Sequence, residues 1–536
     1  MTGLRSADIW ADRIAVTILA AVAITAAFTF RRYGLGWDDF THSQYGELLL
    51  KLYGSGFADT RALSFVNLYK YGGGFDMAAA LAAKISPFGL FETRRLVGAI
   101  VGLIGLAAIW RLGRRLGGPI AGVSALALLA ACPLFYGHMF MNPKDIPLAA
   151  AMAVLILAAV RAFEEYPQPG VRSVALFGIA LGAAFGSRVL AGLGAPEIGG
   201  GLLLIIITDA RAHGGRAAFA RLARFLHTLL PGLILGYLMM GLLWPWSVLS
   251  PLNPIRAVEY FEHFFEKPWE ELYEGRLIPV PNMPATYLPH LFALKLPELM
   301  LALGIAGSVG VLVVLVRRTG TPAKRAGLLA VLLAAYVPVI LAMIARPALY
   351  NGLRHFIFVV PPFAVLGGLA AAYIFARETG IVRASTIAIG IAGIAAPAIA
   401  MARLHPYEYT YFNAFIGGVH GAHDKYMLDY WGLAFKQATE ALRGWIADKH
   451  LTPPAGGRWV VAICGPQAEA QAELGDKFET TFEQKRADFA LALGTFYCRH
   501  LSAPVIAEIA REGIAYATVY DLRGRPTPPL LTLPPP

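Results

Sequence analysis

Asp38 and Asp39 stand side by side in Gly36-Trp37-Asp38-Asp39-Phe40-Thr41-His42, shortly after an apolar stretch that ends in Arg31-Arg32. Carboxylates are costly to keep beside lipid, so an adjacent pair there marks a candidate functional site. One of them can act as general base toward an acceptor hydroxyl or amine. Alternatively the pair can hold a divalent metal, Mg²⁺ or Mn²⁺, bound to a phosphate. His42 belongs to the same constellation. A purely structural task also suits Asp39, namely capping a short surface helix that begins at Phe40.

Three further groupings carry charge where an apolar chain would not need it. Asp145 heads an apolar run after Gly137-His138-Met139-Phe140-Met141-Asn142-Pro143-Lys144. An acid there meets the positive end of a helix dipole; it can also share a cavity with Asp38 or Asp39. Lys144 and His138 flank it, the histidine as a ligand or as a hydrogen-bonded anchor. Arg188, in Gly186-Ser187-Arg188, lies deep in an apolar stretch and calls for a partner. Arg354-His355, with Arg346 upstream, offers guanidinium groups suited to a phosphate, although snorkelling explains Arg346 equally well. The tyrosines at 407, 409 and 411 read as an aromatic belt. No phosphate-cradling glycine loop, zinc-binding helix, paired-cysteine motif or nucleophile elbow occurs.

The elements that must position these groups are membrane spans. The chain of 536 residues is 57% hydrophobic and 15% charged, against about 25% charged in soluble domains. The net charge of +11 sits largely in short loops, which is orientation charge. No basic stripe interleaved with aromatics suggests nucleic acid. Runs of 17 to 25 apolar residues place about eleven spans near 14–30, 96–112, 119–137, 146–162, 173–190, 193–208, 225–249, 291–316, 326–345, 354–376 and 383–402. The first reads as an uncleaved span rather than a signal peptide, because Arg31-Arg32 follows it and no small-residue cleavage site does. Arginine-rich loops around 111–115, 211–224, 317–325 and 377–383 are expected to be cytoplasmic. That orientation sends residues 31–95, 250–290 and the tail from 403 to 536 outward. Within the tail, 458–464, 487–493 and 514–522 read as strands and 467–474 as a helix, giving a small α/β domain. Residues 526–536 read as a proline-rich tail. Cys464 and Cys498 fall in this region; they are either bridged, in an oxidising compartment, or two unpaired thiols.

Taken together, the segments resemble the GT-C superfamily of polytopic glycosyltransferases, in its protein O-mannosyltransferase and lipid A aminoarabinose transferase branch. Asp38-Asp39 matches the family's acidic motif in the first outward loop. Asp145 matches the acid heading the fourth span. Gly182-Ala-Ala-Phe-Gly186-Ser187-Arg188 resembles a Gly-x-x-x-x-Ser-Lys element, with Arg in place of Lys. Arg354-His355 before Pro361-Pro362 resembles another family element, and Tyr411-Phe-Asn413 through Asp429-Tyr430-Trp431-Gly432 a junction of bacterial members.

The resemblance implies an all-α polytopic GT-C membrane module over 1–402, with a small extracytoplasmic α/β domain in 403–536. It implies a polyprenyl-phosphate sugar donor, a glycolipid, polysaccharide or protein acceptor, and inverting transfer in a bacterial inner membrane. Asp38 or Asp39, with Asp39 slightly favoured, would be the base. Asp145 would orient the acceptor or share a metal, while Arg188, Arg354 and His355 would neutralise the donor phosphate. His42, His138 and Lys144 would be secondary. No outward loop is long enough for the lumenal repeats of the protein mannosyltransferases, which sets protein mannosylation aside. Two other classes compete: a flippase for lipid-linked sugars, and a non-catalytic assembly subunit.

Overall fold

The computed structural model describes residues 2–262, 269–454, 457–498 and 500–524. The proline-rich segment 526–536 lies outside the described residues. Among the described residues, nine helices are long and apolar enough to cross a bilayer. A tenth candidate, Pro119–Ala130 with Pro133–Met141, is bent by 63°. Pro133 follows the break at Cys132, and its ring stops the preceding helix. This is a multi-pass integral membrane protein.

Two expected spans differ from the sequence reading. The stretch 173–190 is a helix of only 15 residues, Val171–Phe185. That is about 22 Å long, short of the roughly 30 Å hydrocarbon core. It ends at Gly186, and the chain turns there to present Arg188. The expected span 291–316 divides at Leu296-Pro297. A short helix, Tyr287–Lys295, precedes the spanning helix Glu298–Arg317, because Pro297 cannot continue the first helix. Asp145–Glu164 lies at the centre of the bundle, buried along most of its length, which suits its nearly continuous apolar sequence.

Residues 31–89 form helices lying against the bundle, chiefly Asp39–Gly54 and Gly74–Ala83. A hairpin, β1 (Glu270–Tyr273) and β2 (Arg276–Pro279), pairs antiparallel within 250–290. The tail holds a five-stranded mixed sheet: β3 (Trp459–Cys464), β4 (Phe478–Thr481), β5 (Phe489–Leu493), β6 (Val505–Arg511) and β7 (Ile514–Asp521). The strand order is β4-β3-β5-β7-β6. β3 runs parallel to β4 and β5, while β7 is antiparallel to β5 and β6. Helix Phe435–Asp448 packs against helix Gln467–Leu474 and the sheet.

Cys464, ending β3, is bridged to Cys498 across 34 residues of chain. Closing a loop of that size restricts the unfolded tail by about 3–4 kcal/mol. Cys498→Ser is therefore expected to lower the unfolding midpoint of the tail in full-length protein. An unchanged midpoint would show that the bridge contributes no stability.

Candidate active site

Helix Asp39–Gly54 starts immediately after Asp38, but the Asp38 side chain makes no capping bond to it. Its carboxylate turns instead to Lys144 Nζ at 3.0 Å and Arg354 Nη1 at 3.7 Å. Its side chain keeps 30% exposure. Burial pushes the Asp38 carboxyl up, yet the charges of Lys144 and Arg354 outweigh it and hold the group well below the usual carboxylate range.

Asp39, the residue slightly favoured as base from the sequence, is placed quite differently. It is 1% exposed, and both oxygens are taken by Arg95, at 2.7 Å and 2.6 Å. Arg95 also donates to the Gly34 carbonyl at 2.6 Å, and the Gly36 N–H donates to Asp39 at 2.8 Å. Asp39 therefore folds the turn that aims Asp38. Nor does the simple helix-cap reading suffice, because Asp39 is the first helical residue and its main partner is 56 residues away.

His42 is likewise turned away from any acceptor. Its Nδ1 lies 2.6 Å from Asp76, whose other oxygen accepts from Arg94 at 2.6 Å, all three residues being buried. His138 is an anchor rather than a ligand. It is fully buried, with Nδ1 on the Leu134 carbonyl at 2.7 Å and Nε2 on the Tyr430 hydroxyl at 2.9 Å.

Asp145 opens its helix beside Asn142, whose side-chain oxygen accepts from the Lys144 and Asp145 N–H groups. The Asn142 amide in turn donates to the Asp145 carboxylate at 2.8 Å. Arg188 also donates to that carboxylate, which supplies the partner its apolar setting demands. The Tyr71 ring lies under both cations, 5.0 Å from Lys144 Nζ and 5.4 Å from the Arg188 guanidinium. Gly72 makes this approach possible: a Cβ there would lie 1.9 Å from the Gly186 carbonyl oxygen. Arg354 lies between two rings, 4.7 Å from Tyr350 and 4.7 Å from Trp431. His355 packs edge-on against Tyr350 at 5.0 Å. Arg346 is an exposed left-handed residue ending helix Pro322–Ala345.

The structure thus gathers Asp38, Lys144, Asp145, Arg188, Arg354 and His355, and leaves Asp39, His42 and His138 in supporting positions. Three permanent cations face two carboxylates, one positive charge in excess. Such a site attracts an anion, and guanidinium groups bind phosphate oxygens well. Both carboxylates are ion-paired, Asp38 with Lys144 and Arg354 and Asp145 with Arg188. The chemistry open to the site is proton removal by Asp38 next to a bound anion. Sequence reasoning missed Tyr71, Arg94, Arg95 and Asp76 entirely.

A family model described as dolichyl-phosphate-mannose-protein mannosyltransferase matches residues 75–244. That interval includes Arg95, Lys144, Asp145 and Arg188. Comparison with curated protein sequences finds no match. Among solved structures, ArnT from Cupriavidus metallidurans in the apo state superposes with a TM-score of 0.50 at 17% identity, over 94% of this chain and 97% of that one. The same protein bound to undecaprenyl phosphate gives 0.48 at 18% identity, over 95% and 99%. An oligosaccharyltransferase from Archaeoglobus fulgidus gives 0.44 at 15% identity, over 84% and 62%. The overall fold is thus similar to that of ArnT, and the family model covers about a third of the chain.

Proposed function

We propose that this protein is a membrane glycosyltransferase that moves a sugar from a polyprenyl-phosphate carrier to an acceptor, with inversion at the anomeric carbon. The observation that carries this reading is the pairing of the Asp38 carboxylate with Lys144 and Arg354, two cations of the kind that take a phosphate. The matching family is described by a donor of this chemical class. The acceptor is a glycolipid, polysaccharide or protein.

In the resting site the two cations make Asp38 a weak base. A donor phosphate competes for Lys144 and Arg354, and as they turn to it Asp38 regains basicity. Asp38 then takes the proton of the acceptor hydroxyl or amine as that atom attacks the anomeric carbon. The bond from that carbon to the phosphate oxygen breaks on the opposite face. Lys144 and Arg354 hold the negative charge left on the carrier phosphate, which is where electrostatic stabilisation counts most. Arg188 adds its charge and fixes Asp145, which orients the acceptor. His355 stands next to Arg354 and packs on Tyr350.

This mechanism has a signature in pH. The acid limb of kcat, which reports the complex, is expected at higher pH than that of kcat/KM, which reports free enzyme. Coincident limbs would show that the donor does not relieve Asp38.

The reading also puts the site on the extracytoplasmic side of a bacterial inner membrane. The arginine-rich loops argue for that orientation, and the bridged cysteines of the tail suit an oxidising compartment. The test is transfer of radiolabelled sugar from a panel of polyprenyl-phosphate donors by purified protein. Transfer from one of them supports the reading. No transfer, together with donor movement across vesicles, would replace it with a flippase.

A further inference from the structure

The residue that holds Arg354 comes from the junction with the sheet domain. Trp431 is 1% exposed and supplies one face of the ring pair around the Arg354 guanidinium. Its ring is wedged against the turn that presents Asp38: a Cβ on Gly36 would lie 1.7 Å from Trp431 Cδ1. The Trp37 N–H donates to the Trp431 carbonyl at 3.2 Å, fastening the two segments directly. The mount beneath the tryptophan is itself rigid. Buried Asp429 accepts from the N–H groups of Gly432, Leu433 and Ala434, each at 3.0 Å, and from the Tyr409 hydroxyl. Tyr430 is held by His138 of the bundle. On the other side, left-handed Gly432 packs on Pro466, the residue that leads from the bridged Cys464 into helix Gln467–Leu474.

We propose that Trp431 is a positioning residue that clamps Arg354 against Tyr350 and so keeps its guanidinium within reach of Asp38. The seating of the sheet domain is thereby tied to the electrostatics of the base. This rests on the base role given to Asp38 under the proposed function. The groups that face Asp38 are Lys144, Arg354, His42, Tyr71 and, from the sheet domain, Glu469. Of these, Arg354 is the one that Trp431 touches. Loss of the clamp frees a long side chain to leave the carboxylate, and an opposite charge at this range lowers a carboxyl by about one to three pH units.

The test reads Asp38 protonation without needing turnover. Full-length protein is treated with a carbodiimide, which reacts with protonated carboxyls, across a range of pH. Modification of the peptide carrying Asp38 is then followed by mass spectrometry, with Asp38→Asn as the blank. In Trp431→Leu, modification is expected to begin about one pH unit or more above wild type, and Trp431→Phe, which keeps a flat ring, is expected to restore wild-type behaviour. Gly36→Ala drives a methyl into the same ring and serves as a second, independent displacement. Folding of each variant is checked by its thermal unfolding midpoint. Identical modification profiles in folded wild type and either displaced variant overturn the proposal. Sugar transfer by the same preparations separates the two readings: a shifted profile in the displaced variants, with no transfer by wild type from any polyprenyl-phosphate donor, sinks the base role and leaves the clamp standing.

Discussion

Asp38→Asn is expected to leave the protein folded and inserted while lowering sugar transfer by roughly 100- to 10,000-fold, the range for losing a general base. The amide is nearly isosteric, so the turn from Gly34 to Asp39 has no reason to move. Asp38 is also partly exposed, and Arg354 keeps its contacts with Tyr350 and Trp431, so the cost to stability is expected to be smaller than at the fully buried Asp39. The loss should fall on kcat, because the proton is removed only as the acceptor attacks. Steady-state transfer with saturating donor checks this. Full activity in Asp38→Asn would remove the base from the mechanism.

Asp39→Asn is expected to behave in the opposite way, with its main effect on stability. It leaves Arg95, whose side chain is 3% exposed, without its carboxylate. Breaking a buried pair by removing one partner costs about 3–5 kcal/mol. Replacing both by apolar residues, Asp39→Leu with Arg95→Met, should recover part of that, since no buried charge is then stranded. Unfolding of the detergent-solubilised variants by denaturant measures the difference. Transfer by the surviving folded Asp39→Asn protein should remain well above that of Asp38→Asn. The reverse order of activities would restore Asp39 as the base.

These two variants mark where the sequence was and was not legible. Charges in apolar stretches stand out, so Asp38, Lys144, Asp145, Arg188 and Arg354 were all visible, and the structure brings them together. Which of the adjacent aspartates faces the site was not visible. Successive residues at a helix start point about 100° apart, and the choice was settled by Arg95, a residue with no motif around it. His42 and His138 were overread for a related reason: their partners, Asp76 and Tyr430, are 34 and 292 residues away.

Tyr71 and Tyr350 carry no signal of their own, because aromatic residues are common wherever helices leave a membrane, and Trp431 stood out only as part of the Asp429-Tyr430-Trp431-Gly432 junction. In the tail, the apolar runs at 458–464, 487–493 and 514–522 became the three central strands. The two strands not anticipated, β4 and β6, are the edges of the sheet. Their residues are mostly half-buried or exposed and partly polar, as edge strands tend to be. The break after Phe185 was obscured by the continuing apolar sequence on both sides of Arg188.

The central claim is that Asp38 and the donor phosphate compete for Lys144 and Arg354. The most direct measurement is binding of polyprenyl phosphate to full-length protein, set beside sugar transfer, in wild type, Asp38→Asn and Lys144→Met. The account predicts that Asp38→Asn loses transfer but binds the carrier as well as wild type or better, its cations having been freed. Lys144→Met should bind more weakly. An Asp38→Asn protein that loses the carrier, or that still transfers sugar at the wild-type rate, would contradict it.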